Sequence, residues 1–315
     1  MTAPTYTPIR SRLGALRLCG QLLLGDKAAA GAAVLLLAIL LVSLIGTPFL
    51  RDAATAVDLS LRNLQPFPND HGFLYLLGGD PLGRSVLARI VVGGTTTLTI
   101  ATTAMALALL IGGALGLLMG TMGGWLDLVG MRIADMLLSF PTLLLAVVLI
   151  YLFQPNFIIL VTVLAVTRIP VYARVARAEA LDVSSREFVL SAKALGVGRA
   201  RILARHITPI VAPTLLTLGA VDLAYVILLE SSLSFLGQGV QPPDMSWGLL
   251  VAEGRSYLLT AWWLSLFPGL VITITTISLN LLSAWLRMTL DPRQRWRIEN
   301  DRKTRKLWKK ARVTK

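Results

Sequence analysis

Apolar residues along the chain show neither the alternation of a strand nor the single stripe of a surface helix. They fall in blocks of roughly twenty positions, covering residues 28–50, 94–120, 131–153, 157–176, 209–236 and 262–288. About 20 such residues are what a helix needs to cross the hydrocarbon core of a bilayer. The pattern therefore predicts an all-α polytopic membrane protein with six transmembrane helices. Only Gln154, Pro155 and Asn156 separate the third block from the fourth, and Pro and Asn both favour a tight turn. Pro141 in the third block and Pro268 in the sixth each remove a helical N–H and predict kinks. Gly112, Gly116 and Gly120 recur every four positions, a strip on which a second helix can approach closely.

Composition agrees with this reading. The 315 residues are 55% hydrophobic and 15% charged, far from the roughly 25% charged of a soluble chain, so length counts spans rather than soluble domains. The lone cysteine, Cys19, excludes an internal disulfide and a cysteine metal site. The two histidines, His71 and His206, lie outside the blocks, and neither H-E-x-x-H nor G-x-S-x-G occurs. No catalytic residue, metal ligand or bound cofactor is therefore assigned.

The net charge of +13 points to a bilayer rather than a nucleic acid, because of where the 30 Lys and Arg residues fall. With the N-terminus inside, the outer connections hold only Arg51, Arg62, Arg84, Arg89 and Arg255, and 25 lie on the other side, Arg168 to Arg205 among them. Basic residues accumulate on the cytoplasmic side. Both termini are thus expected in the cytoplasm: residues 1–27 as an N-terminal segment, 51–93 as an outer loop, 177–208 as the largest inner loop and 289–315 as a basic tail. The tail suits anionic lipid, with contact to an ATPase as the alternative. Arg10, Arg12, Arg17 and Lys27 precede a first block longer than a signal core, which reads as an uncleaved span.

Residues 78–85, GGDPLGRS, have the spacing of a phosphate-binding loop with Arg84 at the lysine position. An outer loop meets no ATP pool, and a guanidinium does not replace that lysine. No nucleotide site is assigned, so an ATP-driven process needs its ATPase on another chain. In the inner loop, Ser184 and Glu187 read as a capping box starting a short helix, and Gly196 as its left-handed stop. The helix carries Phe188, Leu190, Ala192 and Leu195 beside Arg186 and Lys193, a partly apolar ridge for a partner or for lipid headgroups. A second helical run from Arg199 leads past Pro209 into the fifth block.

Charges inside a span are costly and face a cavity or a partner. Asp222 and Glu230, eight residues apart on one helix face, are candidates for a polar strip along a translocation path, or for pairs with a partner chain. Arg132 and Asp135 read as a structural i, i+3 pair. Trp262, Trp263 and Trp285 sit where interfacial anchors belong.

The inner loop resembles that of the inner-membrane permeases of ATP-binding-cassette importers. Leu190, Ser191 and Ala192 stand at their E-A-A positions, Gly196 at the glycine and Pro209 at the proline thirteen residues on; Leu190 replaces the acidic residue. LGGDPLGRSVLARIVVGG, residues 123–146 and residues 230–250 are similar to the C-type permeases of the dipeptide, oligopeptide and nickel systems, with Gly79 and Ser85 as departures. The resemblance implies a type I ABC importer permease fold, a five-helix core over residues 94–288 behind a first helix at 28–50, and a cytoplasmic coupling helix over 184–195. Its ATPase-coupling residues would be Glu187, Phe188, Leu190, Ser191, Ala192, Leu195, Gly196 and Pro209. It implies these partners: a homologous B-type permease, two ATPases that bind ATP and Mg, an external peptide-binding protein and a peptide substrate, in a bacterial inner membrane. A nickel or other small-solute importer permease stays open as an alternative, as does an ion-coupled secondary transporter.

Overall fold

The computed structural model describes residues 23, 25–67, 72–154 and 156–290. Arg10, Arg12, Arg17, Cys19, His71, Pro155 and the basic tail after 290 lie outside the described residues. Five described helices are long and apolar enough to cross a membrane. They are α1 (Lys27–Thr55), α2 (Val86–Met122), α5 (Phe157–Ser184), the run Arg199–Phe235 and α10 (Trp263–Leu290). A sixth crossing exists if α3 (Gly124–Ser139) and α4 (Thr142–Phe153) form one span.

That pair corrects the expectation of one kinked helix over 131–153. The two helices meet at 95°. Pro141 has no N–H to continue the ladder, and it forces the preceding residue out of helical geometry. Phe140 accordingly sits in the extended region at φ −84° and ψ 139°, so the chain turns a corner instead of bending. Pro268, by contrast, stays inside α10.

The glycine strip of α2 packs along α5 as its spacing predicted. A Cβ on Gly112 would stand 2.5 Å from the Ile169 carbonyl, and one on Gly120 2.7 Å from that of Arg177. At Gly116 it would strike the Ala173 carbonyl. Contact therefore repeats at 169, 173 and 177, and the two parallel helices approach backbone to backbone. α3 is tied to α5 by Asp127–Arg177, with a 2.7 Å bond from Nη2, and by Asp135–Arg174 at 2.6 Å. Asp135 thus turns across to a neighbouring helix and does not pair with Arg132 on its own.

Among the described residues three apolar clusters form the core, the smallest around Ala54, Ala88, Val92 and Met245. One gathers around Trp247 of α9 (Trp247–Gly254), whose Nε1 donates to the Ile90 carbonyl at 2.8 Å and whose N–H donates to the Thr97 hydroxyl at 3.0 Å. A second joins Ala108 of α2, Tyr172, Ala176, Ala180 and Val183 of α5, and Ile202, Ile207 and Val211 further along the chain. Trp263 departs from its expected place as a surface anchor. It is 3% exposed, and its Nε1 donates to the Gly79 carbonyl at 3.2 Å. Trp262 beside it is exposed.

Candidate functional site: a short helix on a rigid support

α5 does not stop where the capping pattern predicted. Ser184 is its last residue, so Ser184 caps nothing, and the short helix α6 runs Glu187–Ala194 with Arg186 at its N-cap and no side-chain cap. The reason is tertiary: Ala176, Ala180 and Val183 are all buried in the second cluster, and burying that face extends α5 past the local signal. Ser185 N–H then bonds to the Leu181 and Asp182 carbonyls, and the chain reverses.

The far end of α6 does follow its sequence. Gly196 has φ +76°, its N–H bonds to the Lys193 carbonyl at 3.0 Å, and Val197 N–H bonds to that of Ala192 at 3.1 Å. That is the Schellman pattern, in which a residue without Cβ takes the left-handed position at least cost.

One side chain pins α6 to the bundle. Val189 is 0% exposed and packs among Val183, Ile202 and Ile207, while Ala192 is half-buried against the same cluster. Full burial of such a side chain contributes roughly 1.5–3 kcal/mol. The rest of its surface is open: Phe188 and Leu195 are exposed on one flank, Leu195 by 84%, Leu190 on the other, and Glu187, Ser191 and Lys193 are exposed as well. The Arg186–Asp182 pair at 2.7 Å is exposed on both sides and adds at most about 1 kcal/mol.

The return path is α7 (Arg199–Ile202), a π-helical turn over Leu203–Ile207 and α8 (Thr208–Phe235). Pro209 lies in the first turn of α8 and has no N–H to close on the Arg205 carbonyl. The ladder widens there, with Thr208 N–H reaching the Leu203 carbonyl. The His206 ring lies 6.4 Å from that of Phe188, so the π turn backs one end of the exposed face. Of the residues predicted for this site, Glu187, Phe188, Leu190, Ser191, Ala192 and Leu195 are brought together on or beside α6. Gly196 ends it, and Pro209 lies apart from it, beyond the π turn.

Asp222 and Glu230 are both buried in α8. Asp222 pairs with Arg168 of α5, whose Nε donates to Oδ2 at 3.1 Å and Nη2 to Oδ1, and the guanidinium lies 4.5 Å from the centroid of the Tyr225 ring. Arg168 therefore belongs to the interior of the bundle and not to the basic loop in which it was counted. Sequence reading paired neither residue because 54 positions separate them. Glu230 is fully buried and accepts from the Ser234 hydroxyl at 2.7 Å, with its Oε2 unpartnered.

At the start of α2, GGDPLGRS is a turn closed by a bridge between Gly79 and Ser85. Its backbone N–H groups face an anion of its own. Asp80 Oδ1 accepts from Leu82 N–H at 2.8 Å and Arg84 N–H at 2.9 Å, and Oδ2 accepts from Arg84 Nε at 2.6 Å and Arg89 Nη1 at 2.8 Å. Arg89 Nη2 continues to Glu253 of α9 at 2.8 Å. Tyr75 donates to the Gly83 carbonyl at 3.1 Å; burial first, then the Asp58 and Asp80 charges, push its hydroxyl up from its ordinary pKa. Among the described residues no group of three His, Cys, Asp or Glu could hold a metal ion.

Comparison with known proteins bears on this arrangement. The model of the binding-protein-dependent transport system inner membrane component matches residues 112–296. The chain is 34% identical over 272 residues, 86% of its length and 90% of the relative's, to the probable D,D-dipeptide transport system permease protein of Escherichia coli K12. It is 37% identical over 264 residues to a putative peptide transport system permease protein of Brucella suis, covering 82% of this chain and 86% of that one. To the glutathione transport system permease protein of Pectobacterium atrosepticum it is 36% identical over 217 residues, 69% and 72% of the two chains.

Proposed function

The chain belongs to the family of binding-protein-dependent transport system inner membrane components, and from that premise we propose that it works as the peptide permease subunit of an ATP-binding-cassette importer. Its relatives are named as dipeptide, peptide and glutathione permeases, and its apolar helices suit a multi-pass membrane subunit that is itself not catalytic.

The finer reading rests on one observation: an exposed apolar surface, with Phe188 and Leu195 on one flank and Leu190 on the other, stands on a short helix that Val189 locks to the bundle. We assign that surface to a groove on a cytoplasmic ATPase. Two ATPases holding ATP and Mg, a homologous B-type permease and an external peptide-binding protein complete the machine, with both termini of this chain in the cytoplasm. Closure of the ATPase pair on ATP pushes α6. Because α6 is packed on α5, and α5 meets α2 backbone to backbone, the push travels as rigid-body motion into the bundle. Arg168–Asp222 joins α5 to α8, so α8 follows. Asp222 and Glu230 remain candidates for the pathway wall that this motion exposes.

The experiment is purification of the tagged chain from its host in mild detergent, with a cysteine placed at Ser191 for crosslinking. Recovery of a second permease and of ATPases linked through position 191, with ATP hydrolysis stimulated by peptide-loaded binding protein, supports the reading. A chain that comes out alone, uncrosslinked, overturns it.

A further inference from the structure

At the end of α2 remote from α6, a cavity of about 300 Å³ opens between the Asp80 turn, α9 and α10. Leu82, Val86, Leu250 and Leu264 give it apolar walls, and Asp80, Arg84, Arg89, Glu253 and Tyr257 supply polar surface.

The hydrogen bonds here leave a definite remainder. Asp80 is saturated by its four donors. Arg84 uses only Nε on Asp80, so among the described residues its Nη1 and Nη2 have no partner. Arg89, with a side chain 6% exposed, spends both terminal nitrogens on Asp80 and Glu253 and keeps Nε unpartnered. That Nε is enclosed and does not reach the cavity, so the free donors on this wall are those of Arg84. Glu253 commits Oε2 to Arg89 and leaves Oε1 free on a part-exposed side chain. The lining thus holds spare cationic donors on Arg84 and a spare carboxylate oxygen on Glu253.

We propose that this cavity is a receiving subsite for a short zwitterionic peptide, in which the free terminal nitrogens of Arg84 take the terminal carboxylate and Glu253 takes the terminal ammonium. The inference rests on the peptide-permease reading and on the orientation that puts this end outside. Its volume is at the small end of ligand pockets, which suits a dipeptide better than a longer chain. A guanidinium with unused donors matches a carboxylate's two oxygens, and a carboxylate matches an ammonium, so Arg84 and Glu253 together set the direction of the chain.

The test uses the assembled transporter in lipid nanodiscs without its binding protein, with dialanine, N-acetyl-dialanine and dialanine amide as probes and saturation-transfer NMR as readout. Dialanine is expected to bind, and blocking either end to weaken it at least tenfold. Arg84→Gln should abolish discrimination against the amide while keeping that against the N-acetyl compound, and Glu253→Gln should do the reverse. A variant that merely folds poorly cannot give that crossed pattern. Equal binding of all three probes to the wild-type complex, or no dialanine binding, overturns the subsite. Uptake assayed with binding protein separates the two levels: dialanine uptake with no subsite binding leaves the permease reading standing, whereas no peptide uptake at all sinks both.

Discussion

Gly116 of α2 lies directly against the Ala173 backbone of α5, so close that a methyl group there would collide with the Ala173 carbonyl and stand 2.7 Å from the Ala176 Cβ. Neither obstacle is the end of a flexible side chain, so relief requires the helices to move apart. Gly116→Val should therefore lower the thermal stability of the purified complex by about 1–3 kcal/mol, the usual cost of overpacking, and reduce peptide uptake with it. The equivalent change at Gly123, where nothing lies within 4 Å, meets no steric obstacle but is strained by its positive φ. Equal melting of wild type and Gly116→Val would contradict the contact.

The Arg168–Asp222 pair makes a prediction about charge rather than volume. Removing one partner strands the other inside the bundle, at about 3–5 kcal/mol. Asp222→Leu alone is expected to abolish folded protein in the membrane fraction. Arg168→Met combined with Asp222→Leu should recover much of it, since an apolar pair of similar volume leaves no buried charge. Recovery is read by fluorescence-detected size exclusion, and a double variant no better than the single one would count against the pair.

On α6 the two faces should separate experimentally. Leu195→Glu alters an exposed residue, so the chain should still assemble with its partner permease while peptide-stimulated ATP hydrolysis falls at least tenfold. Gly196→Val instead forces a branched residue into a left-handed conformation, costing about 1–2 kcal/mol. It should loosen α6 itself, seen as faster proteolysis between residues 185 and 198. If Leu195→Glu couples normally, the exposed face is not where the ATPase binds.

Asp80 organises four donors at the start of α2. Asp80→Ala leaves Arg89 buried with one carboxylate fewer, and a loss of about 3–5 kcal/mol is expected. Because the cluster is buried, added salt should barely change the melting difference between wild type and variant. A strong salt dependence would show the cluster to be solvated. Fluorescent ATP analogues should not bind this turn in the wild type, since Asp80 already fills the place of the anion.

Asp135, Arg168 and Trp263 depart from the sequence reading for one reason: their partners are far away in the chain. Asp135 turns from Arg132 to Arg174, Arg168 leaves the basic loop for Asp222, and Trp263 leaves the interface for the Gly79 carbonyl. Ser184 loses its capping role to the burial of Ala180 and Val183. The unpartnered Nε of Arg89 had no sequence signal, because whether a donor is matched depends on three segments meeting.

What the sequence determined by itself follows from interactions that need no third segment. A bilayer imposes the twenty-residue apolar length on each span separately. Glycines every four positions predict close packing, because one helix's geometry places them on one face. Gly196 ends α6 because a left-handed stop is a local backbone matter. Tertiary structure alone decided how far α5 runs, that Pro141 makes a corner of 95° instead of a kink, and which charges pair. Those outcomes are settled by which surfaces are buried against one another, and burial is a property of the assembled bundle that no window of sequence contains.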